Sequence, residues 1–364
     1  MAGHGAVRLT AHVSRWPGGD ERRNLRTLVM RIRFKPTPEQ RSALRAQLTR
    51  VQQPATALRI LRPTLPAEFT PARAVCTVQS VHSDRFVVRV ELCSNAGEER
   101  AYALKAYSDD FGEKVWAHAR ALAEHYPPNH NGLCLPNHYV PRERLLVFPW
   151  VDGVFLSEIV DERKLELVRE AAGVAARLHR LGIVPDNLTT AQMFVDEARA
   201  WCDRLRYRWP ETGPTVERLL IELERALPSL DPADPAPIHG DLAQGQFLWT
   251  GNRLVLLDLD MFGYADPAYD AGHFLAQLER RRIWDRDLPA HACRWPACFR
   301  DAYLAAMPRV SPRNVSFYCG LTLMRKMYTV CRRDPAEGPK LVPRLAACAR
   351  AALREAMTAG AILS

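Results

Sequence analysis

Between residues 237 and 276 the chain reads PIHGDLAQGQFLWTGNRLVLLDLDMFGYADPAYDAGHFLA, and little else in it restricts the fold as tightly. Two short apolar runs flank Gly251-Asn252, a dipeptide that supplies the special backbone angles of a two-residue β-hairpin turn. Polar groups punctuate the runs: His239, Asp241, Gln246, Asp258, Asp260 and Asp270. A hairpin centred on Gly251-Asn252, with strands over 246–250 and 253–258, would pair Gln246 with Leu257 and set it diagonal to Asp258. Two oxygen-bearing side chains would then share one end of the hairpin. That is a half-site for Mg²⁺, which prefers oxygen ligands and keeps water or takes phosphate oxygens at its other positions. Asp241 falls on the loop before the first strand.

The remainder of the chain can be placed around this stretch. Residues 27–34 alternate, with Met30, Ile32 and Phe34 on one face and Arg31 and Arg33 on the other, which predicts a strand. Thr37-Pro-Glu-Gln predicts a helix start with a Thr cap and Gln three residues on. Pro54, Pro63, Pro66 and Pro71 predict a linker and a domain boundary. Three β-rich runs follow, over 74–81, 86–92 and 100–107, with turns at His82-Ser-Asp and Ser94-Asn-Ala-Gly. Asp109 or Asp110 can cap a helix to about His125. Leu145–Trp150 predicts another strand, and helices are expected over 156–181, 216–227 and most of the chain beyond 270. The organisation expected is a basic extension over 1–60, a β-rich lobe over 61–150 and a helical lobe over 151–364.

Charge is unevenly spread. Residues 1–60 carry 12 Lys/Arg against 3 Asp/Glu, and residues 280–364 carry 16 against 6, around an acidic middle. The first segment allows contact with nucleic acid or an anionic membrane, against the plainer reading of a basic strand and helix packed on the first lobe. Nine Cys without paired spacing suit reduced thiols in a cytoplasm, and neither a secretory signal nor a transmembrane segment is expected. The Arg280–Arg282 run is read as a solvated face, and Trp284 and Trp295 as core or interface anchors.

Residues 237–276 suit phosphoryl transfer, which needs metal-held phosphates and a group that orients the attacking hydroxyl. Their order and spacing resemble the aminoglycoside phosphotransferase and choline kinase-like family, distant relatives of protein kinases. The resemblance covers about residues 72–355. It implies an α+β, two-lobed protein kinase-like fold with a small β-rich N-lobe and a larger, mainly helical C-lobe. It implies ATP or GTP with Mg²⁺ as cofactors. Asp241 is then the catalytic base, Gln246, Asp258 and Asp260 the metal-site candidates, and His239 and Asp270 structural supports of the catalytic loop. Lys105 in RAYALKAY matches the lysine on the α/β-phosphates, and Glu113 its ion-pair partner. Trp150 and Val151 match the hinge whose backbone holds adenine, and Ser83 stands in the turn that takes the place of a phosphate loop.

Three departures stand out. The family usually has Asn at position 246, where this chain has Gln, as maltokinase-like members do. The first hairpin has no glycine-rich loop. The second acid of Asp-Leu-Asp, Asp260, is not universal, and touches either a second metal or a loop amide. The expected reaction is phosphorylation of a small-molecule hydroxyl. The basic segment 280–364 disfavours a polycation, so a sugar, a polyol or another neutral or anionic acceptor is preferred. The alternatives are an aminoglycoside or other antibiotic phosphotransferase, and a non-catalytic kinase-like protein that binds nucleotide.

Overall fold

The computed structural model describes residues 7–8, 36–126, 132–184 and 188–358. The chain forms two compact units, one of residues 32–153 with 255–260, the other of 1–31, 154–254 and 261–364. The strand expected over 27–34 lies outside the described residues. A two-residue strand, β1 (Val7–Arg8), pairs in parallel with Ile183–Val184.

The first unit is built on a five-stranded antiparallel sheet. Its strands are β2 (Pro71–Val81), β3 (Arg85–Ser94), β4 (Glu99–Tyr107), β5 (His138–Val140) and β6 (Leu145–Pro149), in the order β2-β3-β4-β6-β5. Side-chain alternation decides which residues face which layer. Phe86, Val88, Val90 and Leu92 of β3 and Tyr102, Leu104 and Ala106 of β4 turn to one side. There they bury against Leu44, Val51, Ala57, Ile60 and Leu61. Each such Phe, Val or Leu contributes roughly 2 kcal/mol of transfer free energy. Lys105 and Tyr107 have the opposite parity. Tyr107 packs on the second face with Val115 and Leu146.

The helices under the first face are α1 (Pro38–Val51) and α2 (Pro54–Leu61). Thr37 caps α1 reciprocally: Gln40 N–H donates to Thr37 Oγ1 (3.2 Å) and Thr37 N–H to Gln40 Oε1 (2.8 Å). The proline-rich linker expected from Pro54 onward is corrected here. Pro54 opens α2 at a position where its missing N–H costs nothing, and α2 sends Ala57, Ile60 and Leu61 into the core. The boundary expected at residue 60 therefore falls inside a packed layer. On the second face lies α3 (Phe111–His125).

The second unit is mainly helical. Its strands are short: β7 (Val154–Phe155), β8 (Ile183–Val184), β9 (Ala236–Ile238), β10 (Phe247–Trp249) and β12 (Gly263–Ala265), while β11 (Leu254–Leu256) leads from this unit into the first. The helices are α4 (Arg163–His179), α5 (Ala191–Arg208), α6 (Gly213–Ala226), α7 (Ala268–Trp284), α8 (Trp295–Ala306), α9 (Pro312–Arg333) and α10 (Gly338–Thr358). The helix expected from 156 starts later, at Arg163. Helix α7 is buried continuously from Ala268 to Leu278. Gly272 allows its closest approach, since a Cβ there would lie 2.6 Å from the Cys319 backbone nitrogen of α9. Phe194 stacks on Tyr269 at 3.8 Å between ring centroids, and Phe274 on Phe299 at 4.2 Å.

Candidate active site

In the helical unit, β9 pairs antiparallel with β12, Ile238 opposite Gly263. The chain then turns through Gly240, whose φ of 81° favours a residue without a side chain. Asp270, in the first turn of α7 and fully buried, holds this loop. Its carboxylate accepts the N–H groups of His239 (2.6 Å) and Gly240 (2.9 Å). His179 Nε2 lies 3.0 Å from the same carboxylate, and His179 Nδ1 lies 2.7 Å from Tyr303 Oη. Burial alone would raise the Asp270 pKa, but the His179 hydrogen bond, nearby histidine charge and the Gly240 amide hold it below the usual value. Tyr303, His179 and Asp270 thus form one buried brace under the loop.

Asp241 stands at the far side of that loop. Its N–H donates to His239 Nδ1 (3.2 Å), so the buried imidazole of His239 serves as a loop acceptor. Asp241 Oδ1 lies 3.2 Å from Nε2 of His273, one turn along α7 from Asp270. Burial would raise the Asp241 pKa. Its side chain is nonetheless 45% exposed, and the His273 hydrogen bond with the Lys326 and His239 charges holds it well below the carboxylate range. His273 itself is pushed down to about 4 by burial and by Lys326, against the upward pull of Asp241. At neutral pH the pair is a neutral imidazole beside an ionised carboxylate. The partner geometry assigns the ring proton to Nε2. Lys326 on α9 is pushed down to about 8, chiefly by burial, with Asp241 opposing and Arg325 and Arg280 assisting. The adjacent Arg325 donates to Tyr269 Oη (2.6 Å) and to Glu197 (2.8 Å).

The turn after β10 closes on Gly251-Asn252, with Thr250 N–H donating to Arg253 O (3.0 Å) and Gly251 at φ 98°. The strands are shorter than expected. Gln246 sits in a tight 3₁₀ turn ahead of β10, and Leu257 lies past the end of β11. The expected pairing of Gln246 with Leu257 is therefore not a ladder pair. Gln246 is half-buried.

In the β-rich unit, Lys105 Nζ lies 2.5 Å from Asp258 Oδ1 and 2.7 Å from Asp260 Oδ1. Tyr107, two residues along the same face of β4, donates to Asp260 Oδ1 at 2.6 Å. Burial would lower the Lys105 pKa, but the Asp258 carboxylate, Tyr107 and Asp260 hold it well above the ordinary value. Asp258 has φ 60°, a left-handed conformation that Asp tolerates better than most residues. The expected Lys105–Glu113 ion pair is corrected: among the described residues Lys105 pairs with the two aspartates. Glu113 is exposed in the first turn of α3, where the helix dipole favours an acid.

Trp150 N–H donates to Ala101 O (3.0 Å), and its indole donates to Asp152 (2.8 Å). The Trp150 N–H is thus committed to the sheet, and Val151 next to it is half-buried. Ser83 is exposed at the β2–β3 turn.

The donor set suits Mg²⁺. Asp258 and Asp260, both in the β-rich unit, offer hard oxygens, and Asp258 is 32% exposed. That ion needs only one or two carboxylates when substrate phosphates and water complete its octahedron. No group of three His, Cys, Asp or Glu residues forms a closed metal site among the described residues.

A cleft of about 730 Å³ opens in the helical unit beside the Asp241 loop, lined by Ala243–Gly245 and by Arg280 and Arg281 of α7. The solvated face expected for Arg280 and Arg281 is corrected: both are partly buried in this wall. Trp284 lines it too, whereas Trp295 is fully buried in the core.

The model of the phosphotransferase enzyme family matches residues 74–312. The chain belongs to that family. Solved structures agree in fold. The choline kinase of Cryptosporidium parvum Iowa II superposes with a TM-score of 0.59 at 13% identity, covering 84% of this chain and 97% of that one. The choline kinase LicA of Streptococcus pneumoniae gives 0.53 at 13%, covering 81% and 99%. Aminoglycoside 2'-phosphotransferase-IIIa, in its GDP complex, gives 0.54 at 14%, covering 81% and 99%. These likenesses show a shared kinase-like fold. No curated protein matches the sequence. Residues 74–312 span Lys105, Asp241, Asp258 and Asp270, whereas Arg325 and Lys326 lie beyond the family match.

His179, His273, Lys326 and Tyr303 escaped the sequence reading. His273 carried one usable signal, its spacing of three from Asp270 on a helix, which puts both on one face.

Proposed function

We propose that this phosphotransferase-family protein moves the γ-phosphoryl group of ATP or GTP to a hydroxyl of a small molecule. The observation that carries the reading is Asp241: an ionised, half-exposed carboxylate on a loop pinned from below by Asp270. In this role Asp241 accepts a hydrogen bond from the acceptor hydroxyl and takes its proton as the new P–O bond forms. His273 keeps the carboxylate aimed, and the neighbouring Lys326 and His273 keep it unprotonated. Lys105 serves the nucleotide phosphates, with Asp258, Asp260 and Gln246 as the residues that would hold Mg²⁺. The ion, when bound, neutralises phosphate charge. Ser83, Val151 and the Trp150 carbonyl are the remaining nucleotide contacts of this reading, and Glu113 is a weaker candidate because it is exposed. The acceptor is a sugar, a polyol or another neutral or anionic alcohol.

The nucleotide complexes of related folds support this use of ATP or GTP: one aminoglycoside phosphotransferase structure holds GDP and another ADP. Release of ADP or GDP over a panel of sugars, polyols, phosphorylated sugars and aminosugars, with Asp241→Asn as the blank, tests the reading. Acceptor-dependent release that disappears in the variant is the expected result. Release that is independent of every acceptor and unaffected by Asp241→Asn would show that the loop does not do this chemistry.

A further inference from the structure

The cleft beside the Asp241 loop has an unusual charge balance. Four guanidinium groups line it, those of Arg280, Arg281, Arg286 and Arg333, against two carboxylates, those of Asp285 and Asp287, leaving a net charge of +2. Arg281 is partly satisfied: it donates to the Ser157 carbonyl and lies 3.8 Å from Asp285. Arg280 is not, because its Nε donates only to the neutral Gln277 Oε1, at 3.2 Å. Neither Arg280, Arg286 nor Arg333 forms an ion pair among the described residues. Burial and the charges of Arg333 and Arg281 lower the Arg280 pKa, and no carboxylate pairs with Arg280 among the described residues. Lys326 adds a further positive group within electrostatic reach of Arg280.

The same wall is joined to Asp241. Gln277 accepts from Arg280 and places its amide nitrogen 3.1 Å from His273 Nε2, the nitrogen that faces Asp241 at 3.2 Å. Gln277 and His273 therefore stand side by side between the cation cluster and the proposed base. A volume of about 730 Å³ admits a small phosphorylated sugar or polyol beside the loop. Guanidinium forks match phosphate oxygens in planar, two-point geometry, and a dianion balances the excess charge.

We propose that the acceptor is a phosphate monoester of a sugar or polyol, its existing phosphate seated on Arg280, Arg333 and Arg286 while a free hydroxyl reaches Asp241. This rests on the reading of Asp241 as the base. In the step, the hydroxyl oxygen bonds to the γ-phosphorus. The bond from that phosphorus to the β–γ bridging oxygen breaks, its electron pair leaves with the nucleoside diphosphate, and the hydroxyl proton passes to the Asp241 carboxylate. The organic product is a bisphosphate.

Calorimetric titration of the Asp241→Asn protein with ribose 5-phosphate, ribose, gluconate and a polycationic aminosugar tests the anion site apart from turnover. Ribose 5-phosphate should bind at least about 100-fold more tightly than ribose, and Arg280→Gln or Arg333→Gln, each added to Asp241→Asn, should weaken it about tenfold. Arg333 is exposed, so its variant reports even where Arg280→Gln folds poorly. Equal binding of ribose or of the aminosugar, preference for gluconate, or indifference to both Arg changes overturns the proposal. Arg-dependent binding of ribose 5-phosphate with no nucleotide turnover by the unmutated protein would retain the anion site and defeat the kinase reading. Turnover of a neutral polyol with a KM unchanged by Arg333→Gln would do the reverse.

Discussion

His273 Nε2 lies 3.2 Å from Asp241 Oδ1, a contact that orients the carboxylate and, with Lys326, helps hold it ionised. The imidazole is buried and neutral, so it acts as an oriented donor and not as a competing base. Removing it should loosen Asp241 without touching nucleotide contacts in the β-rich unit. His273→Ala should lower kcat about 10- to 100-fold, with the KM for nucleotide little changed. His273→Asn, which can restore a donor, should recover part of the loss. Steady-state kinetics of the two variants checks this; an equal rise in nucleotide KM would show general damage instead.

The same imidazole makes stability pH-dependent. His273 and His118 are both buried and both pushed down from 6.5 to about 4. Between these values the unfolded chain binds protons that the folded chain refuses, so stability falls as pH drops from 6.5 towards 4. Each histidine contributes up to about 3 kcal/mol over that window. Urea unfolding at several pH values should show the slope, and His118→Asn should flatten part of it. A midpoint constant across the window would contradict the neutral, buried assignment.

Asp270 accepts three donors in the core, and an amide in its place must turn an NH₂ towards one of them. Asp270→Asn should cost about 2–4 kcal/mol and free the loop it holds. Hydrogen exchange at the His239 and Gly240 amides reads this locally. Protection at both should fall more than at the α7 amides of residues 274–278.

The Lys105 cluster is a coupled one. Lys105→Met leaves Asp260 buried and strips Tyr107 of a charged neighbour, and should destabilise the protein by about 3 kcal/mol. Asp258 is partly solvated and adds little to that figure. Asp260→Asn combined with Lys105→Met should cost less than the sum of the single changes, because the orphaned charge is gone. Strict additivity in chemical denaturation would contradict the pairing.

Gly272 carries no mark of its own in the sequence pattern, yet it fixes how α7 meets α9. A methyl group there would fall within 2.7 Å of Tyr318 Cβ and of the Val315 carbonyl oxygen. Backbone atoms cannot yield as a side-chain tip can. Gly272→Ala should cost about 3 kcal/mol and lower Tm, with Gly245→Ala, which meets open space, as the control.

Some of this was readable in advance because local rules act strongly where they apply. Strand alternation put Lys105 and Tyr107 on one face of β4, and the backbone demand of Gly251 marked the hairpin turn. The loop motif around Asp241 carried its own spacing. Other features were hidden for physical reasons. Pro54 serves equally as a chain breaker and as the first residue of a helix, and only the packing of Ile60 and Leu61 decides between them. Helix α7 is buried all round its first three turns, so it has no polar stripe from which His273 would stand out. Arg280 and Arg281 look like any solvated charge run until a loop forty residues earlier closes a cleft against them. Lys105 chose Asp258 and Asp260 over Glu113, a choice made by tertiary contacts that strand and helix patterns do not carry.

The most direct measurement follows the γ-phosphoryl group itself. With γ-labelled ATP or GTP, Mg²⁺ and a responsive acceptor, label should appear on the acceptor hydroxyl in step with nucleoside diphosphate. Asp241→Asn should slow that transfer about 10²- to 10⁴-fold while nucleotide affinity stays within about twofold. Label transferred by Asp241→Asn at the unmutated rate would contradict the role given to this residue.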